Sequence, residues 1–164
     1  MAATVTVRVD YGAGPTTSGS ITGIDLISAD NATNSLANRV ANPITIGNRS
    51  YEKWVKAYVE VAPDNKIENF RVWGDGAVEA GTILYIGSTG SGNYTTPVAT
   101  ASAVATTNFT VCTSGSKFSW SSGSINGVGA VSNYLVFQLD TNAGAGVGNW
   151  GAPGETISYS FDES

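Results

Sequence analysis

Five acidic side chains, Glu52, Glu60, Asp75, Glu79 and Asp140, are the groups in this chain best suited to acid–base chemistry. A pair of carboxylates can hydrolyse a glycosidic bond without an imidazole, one as acid and the other as nucleophile or base. The chain has no histidine, so the usual triad, the common zinc ligand and the neutral-pH switch are all excluded. Each of the five lies beside a turn or on the polar side of an expected strand, where a solvated carboxylate is the ordinary outcome. No spacing in the sequence pairs two of them. The reading is non-enzymatic, with no catalytic, cofactor-binding or metal-binding residue assigned.

Other chemistry is weaker still. Gly74-Asp75-Gly76 and Asp64-Asn65-Lys66 put oxygen ligands near tight turns, but neither has the alternating acids of a calcium loop. The glycine-rich run 87–92 lacks the lysine and the following helix of a phosphate cradle. Asn31, Asn48, Asn93 and Asn108 each begin an Asn-x-Ser/Thr triplet, close to the roughly three that composition alone would produce, so they do not argue for glycosylation. Cys112 is the only cysteine; it permits no internal disulfide and reads as a small buried hydrophobe.

The aromatic residues offer more. Trp54 falls on the polar side of the longest expected strand near Tyr58, and Trp73, Trp120 and Trp150 stand at strand ends or in a glycine loop. Rings so placed serve as core plugs, as platforms for sugar rings or as interface anchors. Trp54, Tyr58, Trp73, Trp120 and Trp150 therefore form the candidate interaction surface.

The elements that must position them are strands. Residues 4–9 alternate strictly, with Val5, Val7 and Val9 on one side, the pattern of a half-buried strand. Residues 51–61 divide into a core side (Tyr51, Lys53, Val55, Ala57, Val59, Val61) and a polar side (Glu52, Trp54, Lys56, Tyr58, Glu60). The turn sequence Pro63-Asp64-Asn65-Lys66 predicts a hairpin joining that strand to residues 67–73. Further strands are expected at 82–86, 109–112, 118–120, 133–140 and 156–162, with a short one begun by Ile44 and Ile46. In the polar stretch 30–42, Leu36 and Val40 at i and i+4 predict a helical turn or two. Residues 97–107 read as extended and 87–93 as an exposed, mobile tip.

About eight to ten short strands without a long helix indicate an all-β fold, an antiparallel β-sandwich of jelly-roll or Greek-key type. At 164 residues the chain suits a single domain, 1–164, with 1–20 supplying a strand, a flexible loop and a candidate arm. Gly, Ser, Thr and Asn make up about 42% of residues while only 13% are charged, against the usual value near 25%. With 41% apolar residues and a net charge of −5, the chain folds instead of remaining disordered. Eight Lys and Arg without a cluster do not suit nucleic acid. The alternating N-terminal residues do not form a secretory signal and no stretch has the length of a membrane span. The surface is low in charge and rich in accessible backbone, which favours permanent packing against a partner.

Several of these segments resemble small virion structural proteins of tailed bacteriophages. The resemblance rests on Ile27-Ser28-Ala29-Asp30-Asn31, Tyr51-Glu52-Lys53-Trp54, Asn69-Phe70-Arg71-Val72-Trp73, 134–139 and 156–163. It implies a capsid decoration (cement) protein that bridges and stabilises major capsid protein subunits on the outer shell, as a homotrimer, made in the host cytoplasm without a cofactor. Tail proteins are the alternative that it implies. Composition and aromatics leave open a receptor- or carbohydrate-binding β-sandwich that stacks its tryptophans on glycan rings. A multivalent lattice can hold such copies with modest contact per copy.

Overall fold

Alternating β-branched and polar residues build β1 (Thr4–Tyr11), β3 (Lys53–Val61), β8 (Tyr134–Thr141) and β9 (Ile157–Glu163). The computed structural model describes residues 2–75, 79–121, 123–145 and 156–164. It adds β2 (Thr16–Thr17), β4 (Ile67–Gly74), β5 (Thr82–Thr89), β6 (Thr107–Asn108) and β7 (Phe118–Ser121). Among the described residues there is one α-helix, α1 (Leu36–Ala41), which starts at Ser35, whose hydroxyl accepts from the Asn38 amide, the usual way to satisfy an N-terminal donor.

The strands form two antiparallel sheets, ordered β2-β1-β3-β8-β5-β6 and β7-β4-β9. Face to face they make a β-sandwich. Val9, Val55, Ala57, Val59, Leu84, Ile86, Leu135, Phe137 and Leu139 from the larger sheet meet Ile67, Phe70, Val72 and Trp120 from the smaller. Phe109 and Cys112 close one end of this core. The alternation read in 4–9, 51–61 and 133–140 thus selects the inner face correctly. Residues 4–17 are tied into the larger sheet, β1 lying between β2 and β3.

The expected hairpin between β3 and β4 does not form. β3 pairs with β1 and β8, whereas β4 pairs with β7 and β9. The Pro63 turn therefore carries the chain from one sheet to the other. Strand alternation is the same whether two adjacent runs share a sheet or face each other across a core, so periodicity could not distinguish them. β4 also carries a bulge: Asn69 adopts φ 54° and the register with β9 shifts between Glu68 and Arg71. The extra residue returns Phe70 to the core beside Ile67.

Four smaller expectations are corrected. Gly87 is buried within β5 opposite Val136, not part of a mobile tip. A Cβ there would lie 1.8 Å from the Val104 carbonyl oxygen, so glycine is required by close backbone approach. Residues 97–106 follow an irregular path over the sheet, and strand structure begins only at Thr107. Phe109–Val111 is a turn of 3-10 helix, and residues 44–46 form no strand.

Candidate functional site

The two faces of the larger sheet differ in how they are covered. On the outer face Trp54 is 0% exposed, packed with Tyr134, Val136 and Ala105 and flanked by Tyr85, Tyr94 and Val104. Its ring makes edge contacts with Tyr94 at 5.3 Å and Tyr134 at 5.4 Å. The cover is the irregular segment 94–106. Buried side chains hold it: Glu52 accepts from the Trp54 indole at 3.0 Å and the Val98 amide at 3.3 Å. Gln138 donates to the carbonyls of Ser50, Val98 and Thr100 and accepts from the Ser102 amide at 2.9 Å. Satisfying the backbone of an irregular segment in this way removes the cost of burying it.

A second polar group anchors the near end of this cover. Asp10, 1% exposed, accepts from Lys56 at 2.6 Å and from the Tyr134 hydroxyl. Burial pushes its carboxyl up, but hydrogen bonds from Lys56, Tyr134 and Thr17 outweigh this and hold it below the usual carboxylate range. Burial raises the Tyr134 and Tyr94 hydroxyls. Tyr94 donates to the Gly12 carbonyl at 2.8 Å.

The inner face is covered by the smaller sheet and, beyond it, by the stretch 20–46, from which Ile21, Ile24, Leu26 and Ile44 pack against the core. Between these covers lies a cleft of about 1470 Å³. Its floor is Val5 and Val7 of β1, Val55 of β3 and Leu135, Phe137 and Leu139 of β8; Val72, Trp120, Ile157 and Tyr159 form the wall from the smaller sheet. The opposite wall is the irregular stretch 20–46, which contributes Ile21, Ile24, Leu26, Leu36, Val40 and Ile46. Four large apolar side chains on this lining face solvent: Leu36 at 55% exposed, Val40 at 68%, Ile46 at 45% and Tyr159 at 39%. Large apolar groups gathered at one place mark an interaction site more than the same groups scattered singly.

Apolar packing by Ile21, Ile24, Leu26, Ile27 and Ile44 seats the 20–46 wall, and polar ties hold its helical part. No residue of α1 is buried, and an isolated six-residue helix is unstable in water. Arg39 pairs with buried Asp25 at 2.7 Å, Asp25 accepts from the Ser35 amide at 2.9 Å, and Asn31 and Asn38 exchange side-chain hydrogen bonds. Lys53, on the core side of β3 and 2% exposed, donates to the carbonyls of Ala29 at 3.2 Å and Asn31 at 2.6 Å. Burial pushes its ammonium down to about 8, partly offset by Asp30 and Asp25.

The candidate interaction surface is not a single surface. Trp54 and Trp120 are buried, on the outer and inner sides of the fold respectively. Trp120 donates its indole N–H to the Asn133 carbonyl at 2.8 Å. Tyr58 is half-buried beneath the Arg8 guanidinium, 3.5 Å from its ring centroid. Trp73 is half-buried with the Lys117 ammonium 4.2 Å from its ring. Trp150 lies outside the described residues. Trp54 lies on a strand face that the segment 94–106 covers, which period-two alternation cannot show.

The acidic candidates are likewise in separate partnerships. Glu52 holds the outer cover, Glu60 pairs with Arg8 at 2.8 Å, Asp140 pairs with Arg49 at 2.6 Å, and Asp75 accepts from the Thr156 amide at 3.4 Å. Glu79 is exposed at the cleft. Among the described residues, no three His, Cys, Asp or Glu side chains gather to hold a metal ion. Cys112 is buried, which raises its thiol. The sequence carries little sign of the cleft: Leu36 and Val40, apolar residues at i and i+4 of a short polar segment, are its trace.

No protein-family model, curated protein or solved structure matches the chain.

Proposed function

We propose that the chain is a non-enzymatic virion structural protein, a capsid decoration protein that bridges and stabilises major capsid protein subunits on the outer shell, assembling as a homotrimer. The observation that carries this reading is the exposed apolar rim of the cleft between the smaller sheet and the stretch 20–46. An apolar cleft rimmed by exposed Leu36, Val40, Ile46 and Tyr159 is the mark of a subunit whose core is completed by a partner. The surface chemistry agrees, with few charges and much accessible backbone. Among the described residues Trp54 and Trp120 are buried, and Glu52, Glu60 and Asp140 each serve a different partner.

The test is quantitative mass spectrometry of purified particles of the virus that encodes the chain. The expected result is a copy number comparable to that of the major shell subunit, with particles lacking the protein rupturing at lower temperature. A handful of copies per particle, or none, overturns the proposal.

A further inference from the structure

We infer that Lys56 and Asp10 condense, with loss of one water, into an intramolecular amide that links β1 covalently to β3. The inference is independent of the assembly reading above.

The reaction needs an amine, a carboxyl group and surroundings that favour a neutral product. Asp10 and Lys56 sit on neighbouring strands, in a register that pairs Asp10 with Trp54 and Arg8 with Lys56. The Lys56 ammonium donates to Asp10 Oδ2 at 2.6 Å, so Nζ lies no more than about 3.8 Å from the carboxyl carbon, one C–O bond further on. Groups held at this range by a folded scaffold gain the rate advantage of an intramolecular reaction. Among the described residues this is the most enclosed lysine–carboxylate pair. Its side chains are 13% and 1% exposed, against 39% and 31% for Lys66 and Glu68. Arg39 also meets a buried carboxylate, Asp25, but a permanently protonated guanidinium is no nucleophile.

A plain ion pair leaves one observation unexplained. Asp10 Oδ1 is buried without a hydrogen-bond partner, so the charged carboxylate is satisfied on one oxygen only. Conversion to an amide removes both charges from the interior and leaves Oδ1 as the carbonyl oxygen of a neutral group, for which a missing partner costs less.

The step balances without oxidant or cofactor. The ammonium passes one proton to the carboxylate, and the freed Nζ lone pair attacks Cγ. Nζ then releases a second proton, which the Tyr134 hydroxyl, itself a donor to Oδ2, relays to that oxygen. The Cγ–Oδ2 bond breaks, Oδ2 leaves as water with both protons, and one hydrogen stays on the amide nitrogen. Burial pushes the Asp10 carboxyl up, but hydrogen bonds from Lys56, Tyr134 and Thr17 outweigh it. The ionised pair is therefore the resting state, and the link forms after folding has brought the groups together.

The experiment is mass spectrometry of the folded full-length chain, intact and after trypsin. The expected intact mass is lower than the sequence mass by one water, about 18 Da. Trypsin should release residues 9–39 joined to 54–66, uncut after Lys56, with fragmentation placing the join at Asp10 and Lys56. Lys56→Arg keeps a cation beside Asp10 but has no amine to acylate, and should show the full mass. Tyr134→Phe, folded by circular dichroism, should lower the linked fraction at a fixed time by at least about tenfold. The inference is overturned by a folded parent chain that keeps its full mass through days of incubation near neutral pH. It is overturned equally by a water loss that maps to Asp75-Gly76, where a backbone succinimide has the same mass, or by linking at an unchanged rate in Tyr134→Phe.

Discussion

The outer and inner faces of the six-stranded sheet begin from the same material, strands that alternate apolar and polar side chains, and end in opposite conditions. The outer face carries the more polar set, yet it is sealed: Trp54, Tyr134 and Val136 lie under residues 94–106, held by Glu52 and Gln138. The inner face carries the more apolar set, and its cover leaves Leu36, Val40, Ile46 and Tyr159 facing solvent at the cleft. A segment without regular structure can cover a sheet where buried side chains satisfy its amides and carbonyls. Glu52 and Gln138 do this for 94–106, and Lys53 and Asp25 do it for part of 20–46. The difference lies in what the cover itself presents: 94–106 turns Tyr94, Val104 and Ala105 onto Trp54, whereas no residue of α1 is buried.

This contrast makes substitutions on the two faces differ in size. The largest effect is expected at Trp54, where truncation to alanine empties a fully buried site between two tyrosines and should cost about 3–5 kcal/mol. Urea unfolding with an unchanged denaturant slope measures it; a loss under about 1 kcal/mol would mean that 94–106 does not seal the face.

Next comes Lys53, the tie between β3 and the 20–46 wall. Its folded-state pKa of about 8 lies below the ordinary 10.5, so between these values the unfolded chain binds more protons and stability rises with pH. Below pH 8 both states are protonated and the burial cost is carried in full. The gain between pH 8 and 10 should be about 2–3 kcal/mol. Above about pH 10 the buried Tyr94 and Tyr134 hydroxyls, raised in the folded state, act in the opposite sense. Comparing chemical denaturation of the parent chain and Lys53→Met across this range isolates the contribution. Equal slopes for the two proteins would show that the lysine is not buried as described.

The smallest effect is expected at the cleft rim. Leu36→Ser and Val40→Ser shorten apolar groups that are mostly exposed, and each should change stability by no more than about 0.5 kcal/mol. A thermal melt showing a loss near that of Trp54→Ala would place these side chains in a closed core and erase the difference between the faces.

Much of the fold was legible in the residues. Val5, Val7 and Val9, and likewise Leu135, Phe137 and Leu139, declare their side of the sheet by period two alone, because the pleat turns that period into a face. The helical turn at 36–41 was legible from Leu36 and Val40, although the same spacing suggests burial and both are exposed. Gly87 was misread as part of a loop tip because composition cannot show a carbonyl within contact distance of its α-carbon. Of the candidate site, only scattered lining residues were visible, since the cleft is made by what fails to cover them.

By itself, the amino-acid sequence determined an all-β chain, the position of most strands, the inner faces of those strands and the absence of histidine and disulfide chemistry. These are local properties, set by side-chain type and by periodicity along a few residues. Tertiary structure decided that β3 and β4 belong to different sheets, that Trp54 is interior and that Leu36, Val40, Ile46 and Tyr159 gather at a cleft. Each depends on which distant segment comes to lie over a strand, and irregular coverings such as 94–106 and 20–46 have no period from which that could be read.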